Sequence, residues 1–204
     1  MNKIFLLLVI TIIGLKAEYS FEYKNLINAY AAYKKDFNYY DYAGDYIYFN
    51  NKDYWKKNRN DEFIFEDKKQ EVIIEMKNKA SEHINTNLYV IHTGVEFGKY
   101  NFKNQEFPIE TMLTKTSMFK IGVDVWNKPR DNKYPNSFQI IFNNPKPFAS
   151  IKMLKDKAKS FLENRKNNYG KIDRTINTDI FYKIIKLYDE KTFLVDIVEV
   201  KYNY

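Results

Sequence analysis

The stretch Tyr89-Val90-Ile91-His92-Thr93-Gly94-Val95-Glu96-Phe97 changes the rhythm of this chain. Tyr89, Ile91, Val95 and Phe97 alternate with Val90, His92 and Glu96, the two-residue period of a strand with one face against a core. The pattern recurs downstream. Phe119, Ile121, Val123 and Val125 alternate with Lys120, Gly122 and Asp124, and Phe138, Ile140 and Phe142 mark a third strand. Ile180 to Tyr188 and Phe193 to Tyr202 read as two further strands, and Asp189-Glu190-Lys191 between them predicts a terminal hairpin.

Upstream of Tyr89 the spacing is helical. Tyr23, Leu26, Ile27, Tyr30, Tyr33 and Phe37 fall on one helix face, with Ser20 placed to cap its start. The tyrosine-rich run from Phe37 to Tyr48 is broken by Asn38, Asp41, Gly44 and Asp45, and reads as a loop with a short extended or helical piece. Asn50 or Asn51 can cap a turn of helix carrying Tyr54 and Trp55. Asn60-Asp61-Glu62 opens a further helix through Phe65, Lys69, Val72, Ile73, Met76, Ala80 and Ile84, with acids in the first turn where the helix dipole favours them. One late helix is expected after Asn143-Asn144-Pro145-Lys146-Pro147, with Ile151, Leu154, Ala158, Phe161 and Leu162 inward and Lys152, Lys155, Lys159 and Lys166 outward. Lys152 can pair with Asp156 and Lys159 with Glu163 at four-residue spacing.

Helices, then strands, one helix, then strands predict an α+β fold: N-terminal helices, a mainly antiparallel sheet, one late helix and a C-terminal hairpin. Residues 18–204 form a single domain in this reading. Residues 18–85 either pack on the sheet or form a helical subdomain.

Residues 1–17 read as a signal peptide. Lys3 precedes the apolar run Ile4 to Leu15, which is too short for a comfortable bilayer span, and Ala17 is the residue before the expected cut. The chain is then exported, to the periplasm or the medium, begins at Glu18 and carries no transmembrane segment. The sequence contains no Cys, which removes disulfides, thiolate metal sites and cysteine nucleophiles. A chain of this length buries enough surface to fold without staples.

Phe, Tyr, Ile, Asn and Lys supply 108 of the 204 residues, and all have AT-rich codons. The simplest account is an AT-rich bacterial genome, which also explains aromatic groups interleaved with basic ones. Lys outnumbers Arg 29 to 4, whereas base and phosphate recognition favours the Arg fork, so no specific nucleic-acid partner is expected. Lys146 to Arg174 holds 9 basic and 3 acidic residues. That excess fits either a solvated lysine-rich face or a polyanionic partner.

Catalytic signals are few. His83 and His92 are the two histidines, and no Gly-x-Ser-x-Gly elbow accompanies them. His83, at a helix end, is placed to act as a cation on the last carbonyls. Neither a zinc motif, nor an EF-hand loop, nor a phosphate-binding glycine pattern occurs, so no metal or cofactor is expected. A carboxylate pair for glycoside hydrolysis can always be imagined among 26 acids, because its defining distance is spatial. The best candidate binding loop runs from Trp126 to Tyr134, offering Trp126 and Arg130 beside a proline; the alternative is an ordinary connection. Tyr100 and Arg174 are further candidates for such a surface.

Three features together resemble a family of uncharacterised exported bacterial proteins, a domain of unknown function. They are Asn60-Asp61-Glu62-Phe63 after an aromatic helical region, Gly98-Lys99-Tyr100-Asn101-Phe102 followed by Phe107-Pro108, and the helix around Ala158 to Leu162 followed by Arg174 and a strand with Tyr182 and Ile184. Asn101 stands where that pattern has Asp. The resemblance implies export and α+β organisation and carries no reaction. The leading expectation is a non-enzymatic binding or structural module of the cell envelope, whose partner is another envelope protein or a polyanionic surface polymer. The alternative is a small carboxylate-dependent hydrolase acting on cell-wall or glycan material.

The intact mass of the protein from each cell fraction tests the leader. A soluble species beginning at Glu18 in the envelope or medium is expected. A full-length species confined to the membrane would make residues 4–15 an anchor.

Overall fold

The computed structural model describes residues 19–111, 113, 114, 117–123 and 128–204. The expected leader, the end of the second predicted strand at Asp124 and Val125, and Trp126 lie outside the described residues.

Strand β1 (Tyr19–Ser20) pairs in parallel with the strand that holds Tyr89, so Ser20 is taken up by the sheet. The first helix, α1 (Tyr23–Tyr33), starts instead at Glu22 without a side-chain cap. Its inner face buries Tyr23, Leu26, Ile27 and Tyr30, at the spacing the sequence predicts. Asp36 takes a left-handed turn at φ 56° and redirects the chain. The tyrosine-rich run from Phe37 to Tyr48 is not the loop its composition predicts: it leads into a full helix, α2 (Tyr39–Asn50). Asn38 caps it, accepting the Tyr40 N–H at 3.1 Å. Tertiary burial of Ala43, Tyr46, Ile47 and Tyr48 outweighs the low helix propensity of its glycine and aspartates.

Of the two caps the sequence offers, Asn51 starts α3 (Lys52–Asn58) through the Tyr54 N–H at 3.1 Å, and within the expected start Asn60-Asp61-Glu62 it is Asp61 that caps α4 (Glu62–Thr86), through the Ile64 N–H at 3.0 Å. Val72, Met76, Ala80 and His83 form the buried stripe of α4. That helix stops at Asn87, which adopts φ 36° and clamps the backbone of Ile184, donating to its carbonyl at 2.8 Å and accepting its N–H at 2.9 Å.

The main sheet is built from β1, β2 (Tyr89–Glu96), β4 (Met118–Gly122), β5 (Ser137–Phe142), β7 (Thr175–Leu187) and β8 (Thr192–Asn203) in the order β1-β2-β7-β8-β5-β4. Pairing is antiparallel except at β1–β2 and β5–β8. The terminal hairpin forms as predicted. Asp189 closes its turn by accepting the N–H groups of Lys191 at 2.9 Å and Thr192 at 2.8 Å. A second sheet of two strands joins β3 (Glu106–Pro108) to β6 (Ser150–Lys152) and places Phe107 opposite Ile151.

The late helix, α5 (Lys155–Glu163), is shorter than its apolar pattern implies. Ile151 and Lys152 belong to β6, and Leu154 is the exposed N-terminal flanking residue at 63% exposure. The pattern misleads because Ile151 is buried by pairing with β3 and not by helix packing. Lys152 therefore meets Glu106 at 2.5 Å across the small sheet, and Glu163 meets Lys166 at 2.6 Å. Glu106 is held down to about 2, first by its hydrogen bond from Lys152. The molecule is α+β, and residues from α1, α2, α4, β2, β5, β7 and β8 share one continuous core.

His83 is 1% exposed and does not act as a helix-end cation. Its ring stacks on Tyr19 with centroids 3.8 Å apart, and its Nδ1 lies 2.5 Å from the Tyr89 hydroxyl. Burial pushes its pKa down to about 4, so the ring is neutral at pH 7. The unfolded chain takes up this proton near 6.5 and the folded chain only near 4. Stability should therefore fall as pH drops from 6.5 to 4, by about 3 kcal/mol in total from this group. Denaturant titrations at stepped pH should show the loss, and His83→Phe should remove that component whatever its stability at neutral pH. An unchanged profile in the variant would refute the assignment.

Tyr134 supplies a second test. Its ring is 2% exposed and packs among Tyr30, Phe37, Tyr42 and Phe49 at centroid separations of 4.8 to 6.3 Å. Tyr134→Ala should cost about 3–5 kcal/mol in urea unfolding, and a loss below about 1 kcal/mol would contradict this burial.

Candidate functional site

A groove of about 580 Å³ lies between α3 and the segment Lys128–Asp131 that leads into β5. Helix α3 supplies Lys52, Trp55 and Lys56 to one wall, Arg59 joins them from its C-terminal cap, and the opposite segment supplies Lys128, Pro129, Arg130 and Asp131. Tyr48, from the end of α2, completes the lining. The Asn51 cap starts α3 so that residues 52, 55, 56 and 59 share one helix face.

The aromatic groups organise the cations. Trp55 stands edge-on to Tyr48 with centroids 5.1 Å apart. The Arg59 guanidinium lies 4.4 Å from the Trp55 ring centre, and the Lys52 ammonium 5.3 Å from that of Tyr48. Stacking of this kind holds a guanidinium plane while leaving its N–H edge open. The Lys128 ammonium donates to the Asn136 side chain. None of the five cations forms an ion pair among the described residues. Asp131 is the one carboxylate lining the groove among those residues. The two-acid arrangement of a glycosidase is therefore not what this groove presents.

The loop wall is braced from α2. The buried carboxylate of Asp45 accepts the Lys133 N–H at 2.6 Å. Burial raises the Asp45 pKa, opposed by that hydrogen bond and by Lys133 and Lys128. The Tyr23 hydroxyl donates to the Pro135 carbonyl at 2.7 Å, and the Tyr134 ring between these two anchors is enclosed by the helices.

The candidates read from sequence do not converge. Arg130 lines the groove, and its exposed side chain is free of ion pairs among the described residues. Trp126 lies outside the described residues. Tyr100 lines a smaller cavity beside α5, and its hydroxyl donates to the Met153 carbonyl at 2.7 Å. Arg174 lines a third cavity, where it donates to the Gly98 carbonyl at 2.5 Å and covers the Phe97 ring at 5.3 Å. Lys52, Lys56 and Arg59 escaped notice, although basic residues at i, i+4 and i+7 around Trp55 were the available signal. His92 is exposed and meets Asp179 at 2.6 Å across β2 and β7. Among the described residues no three His, Asp or Glu side chains gather as a metal site requires, and no helix is long and apolar enough to cross a membrane.

No curated protein and no solved structure matches the chain. A family match does cover more than half of it, from the start of α2 to just past α5, so it takes in α3, the loop and the groove between them: over residues 39–164 the chain belongs to the family described as domain of unknown function DUF4852.

Proposed function

We propose that this protein is an exported binding module of the bacterial cell envelope that takes an anionic polymer along the groove between α3 and Lys128–Asp131. One observation carries the reading: five cations from two elements line a single groove against one carboxylate, beside two aromatic rings. Like charges at such density repel one another, and a polyanion relieves that repulsion while releasing its counterions. Lys52, Lys56, Arg59 and Arg130 are exposed, which keeps these four cations solvated in the free state. The half-buried Trp55 ring offers apolar surface to the backbone or sugar rings of the polymer, with the buried Tyr48 behind it. The early apolar run Ile4 to Leu15 after Lys3, followed by the small residue Ala17, supports the export part. Binding in this reading needs no bond to be made or broken.

Titration with poly(glycerol phosphate), with neutral dextran as control, tests the proposal. Affinity for the anionic polymer should fall steeply as salt rises, and dextran should not bind. Lys56→Glu with Arg130→Glu should weaken binding about tenfold or more at low salt, since each surface cation near a polyanion is worth on the order of 1 kcal/mol. Both residues are exposed, so an unchanged melting temperature separates this from unfolding. Salt-insensitive binding, or full affinity in the double variant, would overturn the reading.

A further inference from the structure

A second cavity, about 250 Å³, opens between the Tyr100–Phe102 arm and α5. Its chemistry differs from that of the groove. Tyr100, Phe102, Ala158 and Leu162 form its apolar lining, and Lys155 and Lys159 stand at its side. The Tyr100 hydroxyl is already committed to the Met153 carbonyl at 2.7 Å, and the exposed Lys155 and Lys159 line the cavity with their alkyl stems, which leaves their charged ends at its rim.

The floor is rigid. Tyr100 packs on Phe107 at 5.0 Å, and Phe107 packs on Phe97 at 5.1 Å and on Phe161 at 5.5 Å, with Phe97 and Phe107 both at 0% exposure. Ala158 is 2% exposed, and its small side chain leaves the space that a longer one would fill. Phe102 is held edge-on to Tyr100 at 5.0 Å yet remains 71% exposed, an apolar ring left uncovered beside an apolar pocket.

The charges at the cavity are unsatisfied. Lys155 and Lys159 lie one turn apart on the same face of α5. Neither makes an ion pair among the described residues, whereas nearby Lys152 is neutralised by Glu106, and Glu163 is held by Lys166. A cavity with apolar walls, two free cations and no facing acid selects an apolar body carrying an anion. Its volume suits a single short chain.

We propose that this cavity binds a soluble, single-chain alkanoate, with the chain against Tyr100, Ala158 and Leu162 beneath Phe102 and the carboxylate between Lys155 and Lys159. The site is independent of the anionic-polymer groove, with which it shares no lining residue.

Calorimetric titration with decanoate, below its micelle concentration, is the test. One saturable site is expected, with decylammonium bound at least about tenfold more weakly because it meets two like charges. Lys155→Glu with Lys159→Glu should weaken decanoate binding by about tenfold or more. Phe102→Ala should weaken decanoate and decylammonium alike, since it removes apolar cover only. Lys56→Glu with Arg130→Glu should leave decanoate binding intact, which separates failure of this site from failure of the polymer groove. All five substituted residues are exposed, and unchanged melting temperatures confirm that the variants are folded. Equal binding of decanoate and decylammonium, undiminished affinity in the Lys155/Lys159 variant, or binding only to anionic phospholipid vesicles would overturn the proposal.

Discussion

A tyrosine whose ring is wholly or partly buried gains from a partner for its hydroxyl, and four in this chain find one in main-chain carbonyls far away in sequence, while Tyr46 and Tyr89 use the side chains of Glu75 and His83. Tyr23 donates to Pro135, Tyr33 to Ile184, Tyr100 to Met153 and Tyr202 to Phe148. Each bond fastens an element to a carbonyl remote from it, and three of the four carbonyls lie outside the main sheet. A chain without cysteine has no covalent staple for its irregular segments. Here the ring supplies buried area and the hydroxyl fixes position, so one residue type does both. The exceptions sharpen the point. The hydroxyls of Tyr134 and Tyr182 are buried without a hydrogen-bond partner among the described residues, and burial drives both far above the usual phenol range. These two rings are retained for packing alone.

The groove inherits its geometry from the same constraint. Its loop wall has little regular structure of its own between Lys128 and Asn136. Three anchors at its C-terminal end hold it: Asp45 on the Lys133 N–H, the Tyr134 ring among the helices and Tyr23 on the Pro135 carbonyl. The opposite wall is fixed by the Asn51 cap, which decides where α3 begins and so which of its side chains share a face. Preorganisation of this sort lowers the ordering cost that a flexible basic loop would incur on binding. It also keeps five cations close together in the free protein, an arrangement that works against stability and favours an anionic ligand.

Much of the fold was legible from local pattern. The alternation at Tyr89 to Phe97, a cap at Asn50 or Asn51, a helix start at Asn60-Asp61-Glu62 and the turn at Asp189-Glu190-Lys191 each rest on neighbours in sequence, and the fold contains each of them. The failures share a different cause. Phe37 to Tyr48 has loop-like composition, and only burial against α1 and α4 makes it a helix. Ile151 keeps helical spacing with Ala158, yet its partner is Phe107, more than forty residues earlier. The site divides in the same way. Arg130 was found because a proline-containing loop after a strand is a local signal. Its partnership with Lys52, Lys56 and Arg59 was invisible, since it exists only once α3 is folded against a loop some seventy residues away.

Linear charge proved a poor guide to surface charge for a physical reason. Residues 18–100 hold 12 basic and 14 acidic groups, yet they supply three of the five groove cations. The conspicuous excess between Lys146 and Arg174 is dispersed instead. Lys152 and Lys166 pair with acids, Arg165 donates to the backbone of Asp173 and Thr175, and Arg174 donates to that of Gly98. A cation that satisfies a carbonyl or a carboxylate contributes little field to a ligand, however basic its neighbours are in sequence. Lys146, Lys155, Lys157, Lys159 and Lys171 make no ion pair among the described residues, and of these Lys155 and Lys159 stand together on α5 beside an apolar cavity. The two surfaces thus differ less in charge than in what lies between the charges: a half-buried indole on α3, and a closed apolar floor beside α5.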